Sequence, residues 1–469
     1  MGTPIYLSDD IRRIEKAAEG ATPPLMERAG RAAAALAARL ASDRAKDVLV
    51  LAGPGNNGGD ARVVARLLGE QFFRVTVATK PPKVPPRPWG LVVDGLFGIG
   101  LGRELSGDYA KLVEIVNAQS CPVLALDVPS GLDADTGRVL GCAVRATHTL
   151  TFIAMKPGLL TLDGPDHCGR VEVSALDLDV GALLEPGAWV AEAALFRRIL
   201  RKRPLNYHKG NAGSVAILGG ASGMAGASLL AGRAALKLGA GRVYVGFLAD
   251  DYLEVDPSAP ELMLRHADDV LGLDLDALVV GPGLGQSERA ETLVGAAIAS
   301  EIPCVLDADA LNLVAASADL RKACQRRGAE TVLTPHPAEA ARLLAENVEA
   351  IQRDRVQAAK NLSRHFNAHV VLKGKGSIVV ARDGHWFVNR SGNPGMASAG
   401  MGDVLSGMVG ALLGQRYRGE SALVLAVHLH GAAADELAGS GNGPVGITAG
   451  ELLDPARRLW NRWLDELSA

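Results

Sequence analysis

Asp403 is the acidic residue of this chain whose neighbours in the sequence most clearly indicate a catalytic role. It lies in a glycine-rich segment, Ser391–Gly407, and the apolar residues after it recur at helical spacing, which predicts a helix that begins at or next to the acid. Backbone N–H groups at such a helix N-terminus bind phosphate, and Gly400, Met401 and Gly402 would supply them. A carboxylate beside phosphate is repelled unless it accepts the proton of a hydroxyl group that attacks the phosphate. Asp403 is therefore either a general base for phosphoryl transfer or an ordinary N-cap.

A second group of polar residues follows three apolar strands in the first half of the chain. The segment Gly53–Gly58 fits the G-x-G-x-x-G pattern, but Thr79 and Lys80 end the next strand, where a dinucleotide-binding loop would have an acid. The group presents the side-chain oxygens of Asn56, Asn57, Asp60, Asp94, Asp127 and Ser130. Each of the three segments that carry these residues, taken alone, is also typical of an ordinary turn without a ligand. Together, at the carboxyl ends of three strands, they predict a site for a hard cation or a polar ligand.

The elements that would position both groups alternate between strands and helices, which predicts parallel α/β sheets. One such pattern occupies the first half of the chain and another begins at Ser214–Leu218. Between them lies a basic run, Arg197–Arg203, that ends in Pro204, and it is typical of a solvated helix end. We therefore predict two domains, residues 1–203 and residues 204–469.

Composition limits the kinds of partner that the chain can have. The net charge of the 469 residues is −3, which does not favour nucleic acid or an anionic membrane. The five cysteines form no C-x-x-C pair, so we expect neither a zinc site nor a disulfide framework. No apolar run has transmembrane length and no signal-peptide core is present. We expect a cytoplasmic homo-oligomer without membrane or nucleic-acid partners.

The first half of the chain resembles the NAD(P)H-hydrate epimerase domain. The resemblance covers most of residues 1–200 and depends on three phrases, GPGNNGGDA, VVDGLFGIGLGRE and ALDVPSGLDADTG. It implies a Rossmann-like fold that interconverts the R and S forms of hydrated NADH or NADPH, with Asp127 as acid/base and K⁺ held by Asn57, Asp94 and Ser130. The substrate contacts that it implies are Asn56, Asn57, Gly58, Gly59, Asp60, Gly98, Ile99, Gly100, Leu101, Gly102, Arg103, Glu104 and Asp127. Ala61 departs from the family, which usually has glycine there.

The second half resembles the ADP/ATP-dependent NAD(P)H-hydrate dehydratases of the ribokinase-like superfamily. The resemblance runs from about residue 206 to residue 440 and depends on GMAGAS, GPGLG, DADAL, TPHPAE and GNPGMASAGMGDVLSG, in this order. It implies a ribokinase-like fold that uses Mg²⁺ with ADP or ATP. The nucleotide contacts that it implies are Lys373, Gly374, Lys375, Gly376, Ser377 and Gly402. The hydrate would contact Gly283, His336 and Asp403, with Asp403 as the base, although His336 is also compatible with an ordinary loop histidine. Met401 stands where the family usually has Thr or Ser.

Together the two resemblances imply metabolite repair, in which one half epimerises the hydrates and the other dehydrates the S form through a phosphorylated intermediate. The sequence leaves ADP and ATP both open, although resemblance to the fused prokaryotic arrangement favours ADP. One alternative is a ribokinase-like kinase for a vitamin alcohol, with an N-terminal nucleotide-binding module. Another is an N-terminal sensing module that controls a C-terminal catalyst.

Overall fold

The computed structural model describes residues 2–81, 84, 88–196 and 199–466. Its contacts divide the chain into two compact units, Thr3–Trp189 and Val190 onward, and the second also takes in the first residues of the chain. The division lies ahead of residue 203 because the strand Ala188–Ala191 already joins the sheet of the second unit. Arg197 and Arg198 of the basic run lie outside the described residues. The boundary between residues 203 and 204 stays a prediction about where the family domains meet.

The N-terminal unit is built on one sheet of six strands, all of them parallel. In chain order its strands are β1 Val48–Ala52, β2 Val75–Ala78, β3 Leu91–Gly95, β4 Val123–Leu126, β5 His148–Phe152 and β6 Arg170–Ser174. Its helices are α1 Ser8–Ala17, α2 Leu25–Leu40, α3 Asn56–Glu70, α4 Gly107–Asn117, α5 Gly164–Cys168 and α6 Val180–Leu183. The sheet order is β2-β1-β3-β4-β5-β6, so the chain reverses direction across the sheet at β1. Ligands of open α/β sheets bind at the carboxyl ends of strands beside such a switch point.

The C-terminal unit is built on a sheet whose order is β10-β9-β8-β11-β12-β13-β14-β15-β16-β7. Its strands are β7 Ala188–Ala191, whose second half belongs to this unit, β8 Ser214–Gly219, β9 Arg242–Phe247, β10 Met263–His266, β11 Ala277–Val280, β12 Cys304–Leu306, β13 Thr331–Leu333, β14 His369–Leu372, β15 Ser377–Val380 and β16 Trp386–Asn389. Strands β8 to β14 are parallel. Strands β15 and β16 form an antiparallel pair on either side of Asp383 and Gly384.

Eleven described helices cover or flank this sheet. They are α7 Ala193–Phe196, α8 Ala225–Lys237, α9 Glu288–Ala299, α10 Asp309–Ala316, α11 Ala318–Arg326, α12 Pro337–Leu344, α13 Val348–Arg353, α14 Arg355–Phe366, α15 Met401–Gly414, α16 Gly419–Leu437 and α17 Leu453–Glu466. Among the described residues, no helix combines the length and the apolar character that a membrane crossing requires.

Helix α15 lies in the centre of the C-terminal unit, and every residue from Val404 to Gly414 is buried. Glycines allow this close packing. A Cβ on Gly407 would lie 2.1 Å from the carbonyl oxygen of Ala231 in α8, and a Cβ on Gly410 would lie 2.3 Å from Cγ2 of Val279 in β11. The helix predicted to follow the glycine-rich segment is therefore a core element whose first turn alone can meet a ligand.

Candidate functional site

The turn between β1 and α3 places the predicted N-terminal loop at the switch point of the six-stranded sheet. The turn is tight, because a Cβ on Gly58 would lie 1.9 Å from the carbonyl oxygen of Gly53. Ala61, which departs from the family pattern, is buried in α3 and faces Gly95, where a Cβ would lie 2.5 Å from that of Ala61. Alanine fits there because its neighbour on β3 has no side chain.

The buried pair Asp94–Ser130 joins the ends of β3 and the segment after β4. Ser130 donates to Asp94 twice, from its hydroxyl to Oδ1 over 2.7 Å and from its backbone N–H to Oδ2 over 2.8 Å. Burial raises the pKa of Asp94, and these two hydrogen bonds oppose that effect. The amide nitrogen of Asn57 donates to the carbonyl oxygen of Leu126 over 3.2 Å, while its buried Oδ1 has no hydrogen-bond partner among the described residues. An orphaned buried oxygen of this kind can accept a cation.

Asp127 lies directly after β4 in a left-handed conformation, with a φ of 64°. Its Oδ1 accepts a hydrogen bond of 2.5 Å from the ammonium of Lys156, which is itself buried. Its Oδ2 faces Gly98, where a Cβ would lie 3.0 Å from that oxygen and 3.4 Å from Cγ of Asn57. The predicted acid/base and the predicted cation ligand Asn57 therefore meet at Gly98.

A cavity of about 550 Å³ opens beside this cluster. Its lining includes Asn56 and Asp60 from α3, together with Arg12 and Glu15 from α1. Burial, followed by the charges of Asp127 and Glu15, raises the pKa of Asp60 to about 8. Burial and then Asp127 also raise the pKa of Glu15. The cavity therefore presents one carboxyl group, that of Asp60, that holds its proton near neutral pH, and a second, that of Glu15, whose pKa is raised.

The other predicted substrate contacts in this unit lie at various distances from the cavity. Gly59 faces Met26, a cavity residue, because a Cβ on Gly59 would lie 2.5 Å from its Cε. The carbonyl oxygen of Ile99 accepts a hydrogen bond of 3.2 Å from the cavity residue Arg12. The remaining members of the loop, Gly100, Leu101, Gly102, Arg103 and Glu104, do not line it. Their contact with a substrate stays a prediction.

The first turn of α15 forms the centre of the candidate site in the C-terminal unit. The N-cap is Gly400, whose φ is 86°, and no side chain caps the helix. Asp403 is thus in the first turn but is not the N-cap, and its carboxylate accepts no hydrogen bond from any residue that the structure describes. Met401 is buried, so its side chain contributes to the core while its backbone stays at the helix terminus. Asp403 is therefore not an ordinary N-cap, because Gly400 holds that position and no side chain caps the helix.

Lys373 lies beside this turn at the end of β14. Its ammonium is 3.0 Å from Oδ1 of Asp307 and 4.0 Å from Oε2 of Glu339, and a Cβ on Gly402 would lie 3.2 Å from it. Burial lowers the pKa of Lys373, but the carboxylates of Asp307 and Glu339 outweigh burial and raise it overall. Burial and then Asp307 raise the pKa of Asp403 to about 6. The site therefore combines one cation with carboxylates of different proton affinity.

The side chain of His336 caps α12. Its Nδ1 accepts hydrogen bonds from the backbone N–H groups of Ala338 and Glu339, over 3.1 and 3.4 Å, and Glu339 accepts the N–H of His336 over 2.8 Å. These bonds form a capping box in which histidine stands for the usual Ser or Thr. The cap orients Glu339 toward Lys373. Contact between His336 and a substrate stays a prediction.

The segment Lys373–Ser377 is a closed turn between β14 and β15. Ser377 donates its hydroxyl proton to the carbonyl oxygen of Gly374 over 2.9 Å, and Gly376 has a φ of 63°. Lys375 donates to the carbonyl oxygen of Gly392 over 3.1 Å, so it connects the turn to the glycine-rich segment before α15. The two lysines of the turn therefore extend in different directions, Lys373 toward α15 and Lys375 toward the glycine-rich segment.

Gly283 lies in the turn after β11, where a Cβ would lie 2.4 Å from the carbonyl oxygen of Met224. In the same turn, the N–H of Gly285 donates to Oδ2 of Asp309 over 2.8 Å. The charge of Asp309 also contributes to the raised pKa of Asp403. The turn is thereby linked electrostatically to the first turn of α15, although no direct contact joins Gly283 to Asp403 among the described residues.

Lys156 and Asp307 are among the site residues that sequence reasoning missed. Lys156 lies in none of the motifs described above, although a lysine inside the apolar run FIAMKPGLL is a signal of a buried and paired charge. Asp307 was noted only as part of the phrase DADAL, without a role. Its position directly after β12, the neighbour of β11 in the sheet, was the available signal.

Two family models match the chain. The model described as NAD(P)H-hydrate dehydratase matches residues 215–455, and the model described as YjeF-related protein N-terminus matches residues 23–88 and 82–158. A relative from Coxiella burnetii, the bifunctional NAD(P)H-hydrate repair enzyme Nnr, is 39% identical over 98% of this chain and 100% of its own length. The chain therefore has both halves that the sequence phrases indicated.

Solved structures are similar to the C-terminal part. The ADP/ATP-dependent NAD(P)H-hydrate dehydratase of Bacillus subtilis, co-crystallised with ATP/Mg²⁺, is 30% identical with a TM-score of 0.51, covering 58% of this chain and 98% of that chain. A ribokinase-like superfamily protein of Enterococcus faecalis is 23% identical with a TM-score of 0.53, covering 59% and 96% respectively, and shows the fold alone. The predicted α/β class, Rossmann-like in the N-terminal unit and ribokinase-like in the C-terminal unit, is confirmed.

Proposed function

The chain belongs to the family of bifunctional NAD(P)H-hydrate repair enzymes, and from that premise we propose that it epimerises hydrated NADH or NADPH and dehydrates the S form with ADP or ATP. The observation that carries the proposal is the Asp403 carboxylate. It is free of hydrogen bonds from the described residues, in the first turn of a glycine-capped helix and close to the half-buried cation of Lys373.

In the proposed dehydration, Asp403 accepts the proton of the hydroxyl group on the ring carbon beside nitrogen. The oxygen then attacks the terminal phosphoryl group of the nucleotide, and the P–O bond to the next phosphate breaks, which releases AMP from ADP or ADP from ATP. N–H groups of α15 and the Lys373 ammonium stabilise the charge of the transferred phosphoryl group. The C–O bond breaks as phosphate leaves with its electron pair, assisted by the lone pair of the ring nitrogen. Loss of a proton from the next carbon restores the double bond. The phosphate ester makes a poor leaving group into a good one.

The carboxylates around Lys373 also suit Mg²⁺. Asp307 and Glu339 supply carboxylate oxygens, and Mg²⁺ is usually held by one or two carboxylates together with the phosphates of the nucleotide. Bound there with the nucleotide, the ion would offset the negative charge of the phosphates. ADP and ATP share the phosphate groups that this pocket would hold, and the predicted preference for ADP is tested by comparing the two.

In the proposed epimerisation, Asp127 acts at the same hydroxyl group in the N-terminal unit. The carbon bearing the hydroxyl also bonds the ring nitrogen, so removal of the hydroxyl proton and protonation of the nitrogen opens the ring to an aldehyde. Rotation and the reverse proton transfers close the ring with the opposite configuration, and the count of protons is unchanged. Asp60, whose pKa burial and the charge of Asp127 raise to about 8, is a protonated partner in the same unit.

The predicted K⁺ site is supported by the orphaned Oδ1 of Asn57 and by the buried Asp94–Ser130 pair. Phe97 and Gly98 link the two, because the N–H of Phe97 donates to Oγ of Ser130 and Gly98 faces Asn57. Bound there, the ion would fix the loop that carries Gly98, next to Asp127. A homo-oligomer and a cytoplasmic location also remain predictions, and sedimentation velocity tests the first of them.

One assay tests both activities. Mixed R and S hydrates are incubated with nucleotide and Mg²⁺, and the return of nicotinamide absorbance is followed. Wild-type protein recovers the full absorbance, whereas Asp127→Ala stops when the S form is consumed, because that variant cannot convert the R form. A stable phosphorylated alcohol as the end product would instead favour the vitamin kinase. Binding of the hydrates without their interconversion would favour the sensing module.

A further inference from the structure

The hydrogen bonds of Lys156 are all directed within the protein. Its side chain is 1% exposed, and its ammonium donates to Oδ1 of Asp127 over 2.5 Å, to Oγ1 of Thr151 over 2.8 Å and to the carbonyl oxygen of Phe152 over 2.7 Å. An ammonium group has three donors, and these three acceptors use all of them. Lys156 therefore has no donor left for a substrate, so any effect on the reaction passes through Asp127.

The two oxygens of Asp127 have different surroundings. Oδ1 is held by Lys156, with longer contacts of 3.3 Å from the hydroxyl of Thr151 and the N–H of Phe152. Oδ2 accepts no hydrogen bond from the described residues and faces the space above Gly98. Oδ1 is thus fixed by hydrogen bonds from the protein, whereas Oδ2 is left free at Gly98.

The charge of Lys156 matters because other acids surround Asp127. Glu15 of α1 and Asp60 of α3 both interact with it electrostatically and have raised pKa values. Lys156 acts in the opposite direction and lowers the pKa of Glu15. Without this cation, three carboxyl groups would share a buried region with no compensating charge, which favours protonation of one of them.

We propose that Lys156 is the positioning residue of the epimerisation site, which binds Oδ1 of Asp127 so that Oδ2 meets the substrate hydroxyl as a carboxylate. The inference rests on the proposed epimerase function of Asp127. The left-handed backbone at Asp127 is a sparsely populated conformation for a non-glycine residue. The bonds from Lys156, Thr151 and Phe152 keep the side chain in one orientation there.

The test uses the full chain with Lys156→Met, which keeps the stem and removes the charge, and with Lys156→Ala, which leaves space for a small amine. We expect the kcat of epimerisation to fall by at least about 100-fold in both variants, with KM changed less than about threefold. Propylammonium should restore kcat in Lys156→Ala, and 1-propanol should not. Lys111→Met, at an exposed position of α4, is the matched control and should retain full epimerisation.

Each outcome decides the inference. The inference is overturned if Lys156→Met keeps its kcat or if only KM rises. Equal rescue of Lys156→Ala by the amine and the alcohol would also overturn it, because a structural role needs no charge. If Lys156→Ala does not fold, the kcat and KM of Lys156→Met decide. Absence of epimerisation in the wild-type chain would instead overturn the proposed function, so the two failures are distinguishable. Dehydration of pure S hydrate by the same sample shows that the protein is present at the expected concentration and that its C-terminal unit is folded and active.

Discussion

The ammonium of Lys373 lies 3.0 Å from a carboxylate oxygen of Asp307, and the side chain of Asp307 is only 1% exposed. The pair connects the end of β14 with the end of β12, next to the first turn of α15. A buried carboxylate requires a partner, because removing one member of such a pair leaves an uncompensated charge.

Lys373→Met should therefore destabilise the C-terminal unit by about 3–5 kcal/mol. The double variant Lys373→Met/Asp307→Asn should lose less than the sum of the two single changes, because it removes both charges. Urea unfolding of the full chain, followed by circular dichroism, measures both. Lys237→Met is the matched control, since Lys237 pairs with Asp454 at the surface and should contribute about 0–1 kcal/mol. Additive losses in the double variant would contradict the pairing.

Asp403→Asn should reduce nucleotide-dependent dehydration by about 10²–10⁴-fold while epimerisation continues. The amide keeps the size of the side chain but cannot accept the hydroxyl proton. The rate of absorbance recovery from S hydrate measures the loss, and interconversion of the hydrates in the same sample is the internal control. Substantial dehydration by this variant would exclude Asp403 as the base.

The pH dependence of dehydration should show an acidic limb near the pKa of Asp403, about 6. The carboxylate is the active form, so kcat/KM for the S hydrate rises as the pH passes upward through that value and falls below it. Asp307 is the largest charge that raises this pKa, so Asp307→Asn should move the limb to lower pH. A limb near pH 4 in the wild-type protein would contradict the assigned environment.

Gly402→Ala should weaken nucleotide binding without unfolding the protein. The added Cβ would lie 3.2 Å from the ammonium of Lys373, in the space that a phosphate would need, whereas alanine suits a helical position better than glycine by about 1 kcal/mol. We expect a higher KM for ADP or ATP and an equal or higher melting temperature. Gly69→Ala, in an open position near the end of α3, should change neither activity. An unchanged KM in Gly402→Ala would place the phosphates elsewhere.

Sequence phrases predicted the β1–α3 turn and the helix after the glycine-rich segment because each is a local pattern of glycine, polar and apolar residues. They did not predict Lys156, whose partner Asp127 is 29 residues away. Such pairing depends on how β4 and β5 lie side by side. The capping box of His336 was also missed, because histidine replaces the residue type that defines that motif.

The burial of α15 has a consequence for how ligands reach Asp403. A helix enclosed by α8, α16 and the sheet cannot tilt without disrupting the core of its unit, so the carboxylate of Asp403, the proposed base, keeps a fixed position. Admission of a nucleotide and a dinucleotide hydrate must then come from movement of the surrounding turns. In hydrogen exchange, the amides of α15 beyond its first turn should be among the slowest of the C-terminal unit, both with and without bound nucleotide.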